Sequence, residues 1–549
     1  MQTDTRSTQC APLRDGQQVD AVVVGAGFAG LYMLHRLRSM GLTVRVFEAG
    51  SGVGGTWFWN RYPGARCDVP SMEYSYQFSD ELQQEWEWTE RYATQPEILR
   101  YINHVADRFD LRSDIELNTR VKGASFDDSK GAWTIQTDDG RRITARFCIM
   151  ATGCLSSANL PDIPGIDTFR GATYHTGHWP HDAVDFAGQR VGVIGTGSSA
   201  IQSIPLIAAQ AKELYVFQRT PTYSVPAHNR ALEPDEQANL KARYAEIRQI
   251  GKTEHPFGFG HRMTTDLATA ASEQRRLERY EDYWRRGGLE FLGAYADLML
   301  DEEANATATD FLRGKIREIV RDPDLAERLS PTHVAGSKRL CVDTGYFDTY
   351  NRPNVHLVDV RTTPIDEITA DGIRVADQHY DLDAIVFATG FDAMTGALSK
   401  INIEGVDGVP LAKRWAAGPR TYLGLATAGF PNMFIITGPG SPSVLTNMLP
   451  SIEQHVDWIA DSIGHMRDND LATIEAREEA QDAWVEHVNE VAYSTLFPKA
   501  NSWYLGANVP GKPRVFMPYV GFPAYVEKCR EVTANGYEGF QFGKGQESA

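Results

Sequence analysis

Two glycine-rich turns carry the clearest chemistry in this sequence. The first, Gly25-x-Gly27-x-x-Gly30, follows the apolar run Ala21-Val-Val-Val24, and an acid, Glu48, stands eighteen residues beyond Gly30. Glycine is required where a chain must touch a diphosphate. Gly25 permits the tight turn, Gly27 brings backbone against the pyrophosphate, and Gly30 lets a helix pack on a strand. The helix N-terminus then offers free N–H groups and a partial positive charge. Glu48, closing the next strand, accepts hydrogen bonds from ribose hydroxyls and repels a 2′-phosphate, so this turn suits FAD or NAD. The second turn, Gly195-x-Gly197-x-x-Ala200, has Arg219 and Thr220 where the acid would stand. A guanidinium there matches a 2′-phosphate, so this half suits NADP. Opposite 2′ preferences in one chain bring a flavin and a nicotinamide face to face, the apparatus of a flavin- and NADPH-dependent oxidoreductase.

Each turn needs a strand before it and a helix after it. Strand signals run from Asp20 into the first turn, a helix is expected over Leu31–Met40, and Thr43–Glu48 reads as the next strand. The pattern repeats with strands at Arg190 and at Leu214–Arg219. Between Glu233 and Glu327 charges dominate and apolar residues recur at helical spacing, as at Leu240, Tyr244, Ile247 and at Leu312, Ile316, Ile319. That stretch reads as a helical insertion. Strand signals return at Val355–Val360 and end at Ile385–Phe391. Ala151-Thr-Gly153 and Ala388-Thr-Gly390 each close a strand with a small, sharp turn and fit crossings between the two nucleotide-binding domains. From there to about residue 540, apolar strands mixed with Gly/Pro loops are expected. The fold class is α/β, with two Rossmann-like dinucleotide-binding domains and a helical insertion. Its boundaries are 1–150 plus 391–549 for a discontinuous FAD domain, 151–232 plus 328–390 for the NADP domain, and 233–327 for the insertion.

The chain has 549 residues, enough for roughly three to four domains. Its net charge of −18 argues against nucleic acid or an anionic membrane as partner, because phosphates would be repelled. The longest apolar runs are strand-sized, so no membrane-crossing helix is expected. Met1 to Gln18 is polar and reads as a disordered tail. Six scattered cysteines without a CxxC pair fit a reduced, cytoplasmic setting and count against a disulfide reductase. No metal-ligand spacing is present.

Ahead of the second turn stands Phe169-Arg-Gly171-Ala-Thr-Tyr-His175-Thr-Gly-His-Trp179-Pro180. It resembles the FxGxxxHxxxW(P/D) fingerprint of type I Baeyer–Villiger monooxygenases at every fixed position. Gly54-Gly55-Thr56-Trp57-Phe-Trp-Asn-Arg-Tyr62-Pro63-Gly64-Ala-Arg66-Cys-Asp68 is similar to a second family signature. The likeness covers most of the chain and is nearest to the phenylacetone, steroid and cyclohexanone monooxygenase group. It implies that NADPH reduces FAD, that O2 then adds to the flavin at C4a, and that the resulting peroxide attacks a ketone to give an ester or lactone, with sulfoxidation as a side activity.

The resemblance also implies roles for residues. Arg339, in Gly336-Ser-Lys338-Arg339, matches the family's active-site arginine; as a permanent cation it would stabilise peroxide and oxyanion. Composition alone reads Lys338-Arg339 as a solvated surface pair. Asp68 would pair with Arg339 and orient it. Phe28, Gly55, Thr56, Trp57, Tyr74, Val121 and Met448 would join Gly25, Gly27, Gly30 and Glu48 around FAD. Arg66, Thr196, Ser198, Ser199, Gln202, Lys338 and Trp503 would join Gly195, Gly197, Arg219 and Thr220 around NADP, with Trp503 on a mobile loop. Phe169, Gly171, Trp179 and Pro180 would shape the interdomain linker, and His175 would transmit domain movement. Ser443, Val444 and Leu445 would line the substrate pocket, whose far side is less defined because Tyr519-Val-Gly-Phe-Pro-Ala-Tyr525 departs from the phenylacetone branch. The expected partners are a small ketone and O2, with the chain a monomer or weak homo-oligomer. N-hydroxylating and S/N-oxygenating flavoenzymes share both turns but usually lack the fingerprint tryptophan. A non-catalytic NADP sensor would have no use for Asp68, Arg339 and Trp503 together.

Overall fold

The structure, a computed structural model, describes residues 10–544. Its first sheet is built on Gln18–Val24, which lies parallel to both Val44–Phe47 and Arg142–Met150, with Val22 opposite Arg45 and Cys148. Strands covered on both faces read as continuous apolar runs, and Ala21, Val22 and Val23 are fully buried. Eight strands make this sheet. Beyond Arg142–Met150 it continues through Ala132–Thr137 and Val121–Asp127 to Asn402–Glu404; Ile115–Glu116 forms the opposite edge, and Met433–Ile435 also pairs with Arg142–Met150. Two strands of the sheet therefore come from the far end of the chain. Helix Phe28–Ser39 covers one face, burying Leu31, Leu34 and Leu37 and packing against helix Met448–Asp468.

The second sheet has five strands, all parallel, in the order Val355–Asp359, Glu213–Gln218, Arg190–Ile194, Ala384–Phe387, Ala172–His175. An antiparallel meander over Glu367–Asp381 stands beside it. The two crossings between the sheets are bonded to each other. Asn159 N–H donates to the Gly390 carbonyl at 3.0 Å, Asp392 N–H to Ser157 at 2.8 Å and Met394 N–H to Cys154 at 2.7 Å.

Between the halves of the second sheet lie Pro234–Ala242, Tyr244–Thr253, Glu273–Arg286, Glu302–Ile319 and Pro323–Leu329, all helical. Ser272, Asp301 and Asp322 each accept a backbone N–H at a helix start, satisfying groups that the helix itself leaves free. A separate apolar cluster with Tyr280, Phe291, Tyr295 and Leu312 fills this region, and Leu340 and Val342 belong to it.

Two expectations are corrected. Residues 10–17 are not a loose tail: Leu13 is buried, its N–H donates to Glu116, and Gly16 N–H donates to Arg142. One buried apolar side chain, with hydrogen bonds to Glu116, Arg141 and Arg142, suffices to hold a polar segment. Residues 1–9 lie outside the described ones. The C-terminal part is chiefly helical, with Met448–Asp468, Glu478–Tyr493 and Phe522–Ala534 where strands were expected. Ile452, Val456, Ile459 and Ile463 recur at helical spacing there and are buried, but Pro450 and the Gly/Pro stretch ahead of it obscured the period. No described helix is long and apolar enough to cross a membrane.

Candidate active site

At the first turn, Gly25 has φ +107°, and a Cβ there would sit 2.6 Å from the Ala151 carbonyl oxygen. A Cβ on Gly30 would lie 1.8 Å from the Gly25 oxygen, so this close strand–helix packing admits only glycine. Helix Phe28–Ser39 begins behind Gly27, which supplies no side-chain cap and leaves the first N–H groups free. A second glycine turn faces it: a Cβ on Gly27 would meet the Gly55 Cα at 3.4 Å. The cleft floor is thus bare backbone, which fits a diphosphate. Glu48 is buried, accepting Ala26 N–H at 2.8 Å and Gly50 N–H at 2.7 Å. Burial raises its pKa, and these backbone donors oppose the shift. The first turn is therefore braced, through Ala26, by the acid that would receive a ribose. Thr56 opens the short helix Thr56–Trp59. Trp57 donates its indole N–H to the Tyr74 hydroxyl at 3.2 Å, and Phe28 packs edge-on against Tyr74 at 5.6 Å. Val121 sits in the apolar cluster beneath the sheet, and Met448 starts its long helix.

The second turn repeats the construction. Gly195 has φ +113°, with the Ala388 carbonyl 2.4 Å from where a Cβ would be; Gly197 has open space there. Helix Ser198–Gln210 starts uncapped behind Gly197. Thr196 donates its hydroxyl to the Thr220 carbonyl at 2.7 Å, tying the turn to the strand end that carries Arg219. Lys338 has its pKa lowered by burial and then by Arg219. Two cations side by side, neither of them in an ion pair with a carboxylate among the described residues, fit a phosphate monoester. Ser199 meets the Thr176 hydroxyl at 3.1 Å, and Ser198 meets the Cys341 thiol at 3.2 Å. Gln202 bonds the Tyr62 hydroxyl at 2.8 Å and the Arg66 carbonyl at 3.1 Å, locking the helix onto the Tyr62–Arg66 loop. The Arg66 guanidinium reaches Glu90 at 3.5 Å.

Arg339 lies just before the strand Cys341–Asp343, which pairs with Ser224–Pro226 beside the insertion. Its Nε and one terminal nitrogen donate to the two oxygens of Asp68, each at 2.9 Å, and the other terminal nitrogen donates to the Val444 carbonyl at 3.0 Å. Burial opposes its charge, but the Asp68 carboxylate more than offsets that and raises the pKa above its already high value. Asp68 and Arg339 are 271 residues apart in sequence. Tyr504 was not foreseen. It is fully buried, close enough to feel Arg339, and burial pushes its hydroxyl up to about 12, so it stays protonated. Trp503 adjoins it at 4.4 Å between rings on the turn Trp503–Leu505. Ser443–Leu445 forms another tight turn, with Ser443 at φ +41° and its hydroxyl on the Thr437 carbonyl at 3.3 Å.

The fingerprint occupies the edge strand Ala172–His175 and the short turn Thr176–His178 after it. A Cβ on Gly171 would sit 2.4 Å from the Asp383 oxygen and 2.6 Å from the Phe169 ring. Trp179 is buried, stacked on Tyr174 at 5.1 Å, and its backbone N–H reaches the Trp59 carbonyl at 3.4 Å; Pro180 is exposed. His175 accepts Gly177 N–H on Nδ1 at 2.9 Å, and its Nε2 lies 3.3 Å from the Thr389 hydroxyl. Burial lowers its pKa to about 4, so it is neutral at physiological pH. A cavity of about 450 Å³ between Pro70–Glu73 and helix Tyr244–Thr253 is lined by neither glycine turn nor Arg339.

A family model described as pyridine nucleotide-disulphide oxidoreductase matches residues 22–256. All six cysteines here are free, and five of them are buried. A Baeyer–Villiger monooxygenase of Pseudooceanicola batsensis is 44% identical over 528 residues, covering 95% of this chain and 96% of its own. A phenazine N-monooxygenase of Lysobacter antibioticus is 43% identical over 531 residues, covering 96% and 97%. The solved structure of an oxidised steroid monooxygenase bound to NADP is 54% identical, with a TM-score of 0.92, over 96% of this chain and 100% of that one. With both glycine cradles, the fingerprint and the Asp68–Arg339 fork in one frame, the chain belongs to the Baeyer–Villiger monooxygenase family of flavoproteins.

Proposed function

We propose that this enzyme uses NADPH and O2 to turn a ketone with an apolar body into an ester or lactone, with Arg339 as the charge-stabilising catalytic residue. The observation that carries this reading is the fork itself. A guanidinium has five N–H donors. Three are engaged here, two by Asp68 and one by Val444, so two remain on the terminal nitrogens for a reacting oxygen. Those donors are held in place before reaction, which is what makes such stabilisation effective. When bound, FAD accepts hydride from NADPH and passes one atom of O2 to the ketone.

Residues 1–150 and 391–549 form the FAD unit in this reading, with Gly25, Gly27, Gly30 and Glu48 at the diphosphate and ribose. Residues 151–232 and 328–390 form the NADP unit, with Arg219 and Lys338 on the 2′-phosphate, and 233–327 is the insertion. Ser443, Val444 and Leu445 line the ketone pocket beside a cluster that includes Tyr504, Phe516 and Met517. Six free cysteines suit a reduced cytoplasm. We assign the chain as a monomer or weak homo-oligomer.

The phenazine-oxidising relative supports a second reading, transfer of oxygen to an aromatic nitrogen. One experiment separates the two. The purified enzyme is given NADPH with aryl, cyclic and steroidal ketones, or with a phenazine, and products are followed by mass spectrometry. Ester or lactone from any ketone supports the first reading. N-oxide alone replaces it with the second.

A further inference from the structure

The segment after Trp503 is fastened at two points to the crossing that leaves the second sheet. Asn508 donates its amide to the Phe391 carbonyl at 2.7 Å, while its own backbone carbonyl accepts from the Asn159 side chain at 3.1 Å. Four residues on, the Lys512 ammonium reaches the Asp392 carboxylate at 2.5 Å and the Ala393 carbonyl at 2.7 Å. The Lys512 side chain is only 10% exposed, so this pair is far less screened than a surface ion pair. From the same crossing the bonding runs on to the fingerprint: Thr389 donates to the Asn159 carbonyl at 2.6 Å and lies 3.3 Å from His175 Nε2. At its other end the segment carries Tyr504, whose carbonyl accepts Met517 N–H at 3.0 Å and which packs in one apolar cluster with Val444, the residue whose carbonyl accepts from Arg339.

We propose that Asn508 and Lys512 are positioning residues for oxygen transfer: by clamping the 503–517 segment to Phe391, Asp392 and Ala393 they keep Tyr504 against Arg339 and exclude water from the site. This rests on the reading of Arg339 given above. Neither residue is bonded to the glycine cradles, so the cradles themselves do not depend on them. Without the clamp, the oxygenating power is lost to solvent: NADPH, a proton and O2 leave as NADP+ and hydrogen peroxide, and the ketone is untouched. The charge on Lys512 matters because it answers two oxygens of a buried turn at once. Asn508 matters because its side chain donates to one crossing while its backbone accepts from the other.

Lys512→Met and Asn508→Ala test this in the full-length enzyme with FAD and NADPH bound. Hydrogen exchange, read by mass spectrometry, is expected to quicken within 503–517, about tenfold or more in Lys512→Met, which loses charge-assisted hydrogen bonds, and less in Asn508→Ala, and to stay unchanged in the two glycine turns. The hydrogen peroxide released per NADPH consumed is expected to rise severalfold, and Lys512→Arg is expected to restore most of the coupling. Asp392→Asn, which keeps the shape of the turn, is the second route to the same result if Lys512→Met folds poorly. Peroxide release equal to the parent, or faster exchange spread over the whole chain, overturns the clamp. Arg339→Ala, measured alongside, keeps slow exchange in 503–517 and makes no ester; if it makes ester, the reading of Arg339 fails while the exchange result still decides the clamp.

Discussion

Arg339 and Arg219 are asked to do different things, and single substitutions separate them. Removing one preorganised oxyanion donor costs about 2.7–4 kcal/mol, or roughly 100- to 1000-fold in rate. Arg339→Ala is therefore expected to keep FAD, to be reduced by NADPH, and to release hydrogen peroxide in place of ester, as gas chromatography and a peroxidase assay would show. Arg339→Lys is expected to rescue poorly, because a point charge cannot answer both Asp68 oxygens and Val444 in one plane. Near-normal ester from Arg339→Ala would move the role elsewhere. For Arg219→Ala, the loss of one charge-assisted contact predicts a Michaelis constant for NADPH about ten- to a hundredfold higher, with NADH nearly unaffected. Equal losses with both cofactors would make Arg219 a residue of the fold. The glycine turns were legible from sequence because close backbone approach demands that residue type at that spacing; the 2′ roles of Glu48 and Arg219 belong to the proposal, and Arg219→Ala tests the latter. Arg339 was not legible from its own surroundings: Lys-Arg on a polar stretch reads as surface, and only the family likeness singled it out. Tyr504 carried no local signal beyond its place after Trp503, because its importance comes from contact with a residue far off in sequence.

Among the elements, helix Met448–Asp468 holds an unusual group. Glu453 is buried, and its carboxylate accepts Gln77 N–H at 2.6 Å and Phe78 N–H at 3.0 Å. Burial pushes its pKa up to about 7, against the pull of those donors and of Lys252 and Arg248, while Asp457 adds to the rise. Between the ordinary value of 4.5 and about 7 the unfolded chain has this glutamate charged and the folded chain keeps it protonated. Stability therefore falls as pH rises through that window, by at most about 1.4 kcal/mol per unit. Glu453→Gln, which retains the accepting oxygen, is expected to flatten the thermal midpoint between about pH 5 and 7; an unchanged slope would locate it in another group. This helix shows where sequence reading lost its hold. The central strands announced themselves through unbroken valine runs. The helix had the right period, but a proline in its first turn and glycines before it resembled a loop. The Leu13 segment was lost for the opposite reason, since a single anchoring leucine leaves no period at all.

At the scale of the whole molecule, the two sheets repeat one device: the carbonyl that ends a strand, Ala151 or Ala388, presses on the first glycine of its own cradle. Gly195→Ala forces a Cβ into the Ala388 oxygen at positive φ, a strain of about 1–3 kcal/mol. The protein is expected to remain yellow and to be reduced by dithionite, while its Michaelis constant for NADPH rises about ten- to a hundredfold. Loss of flavin from that variant would mean the units do not stand independently.

The paired crossings have a mechanical meaning. Two separate threads between bodies allow rotation about any axis. Here the threads are sewn edge to edge by the Asn159, Asp392 and Met394 N–H groups into a flat ribbon, and a ribbon is stiff in its own plane and soft only across it. Its bending line is also where Thr389 meets His175 and where Asn508 and Lys512 are anchored. A relative movement of the two sheets would therefore bend this one line, and the fingerprint and the 503–517 segment would feel it together.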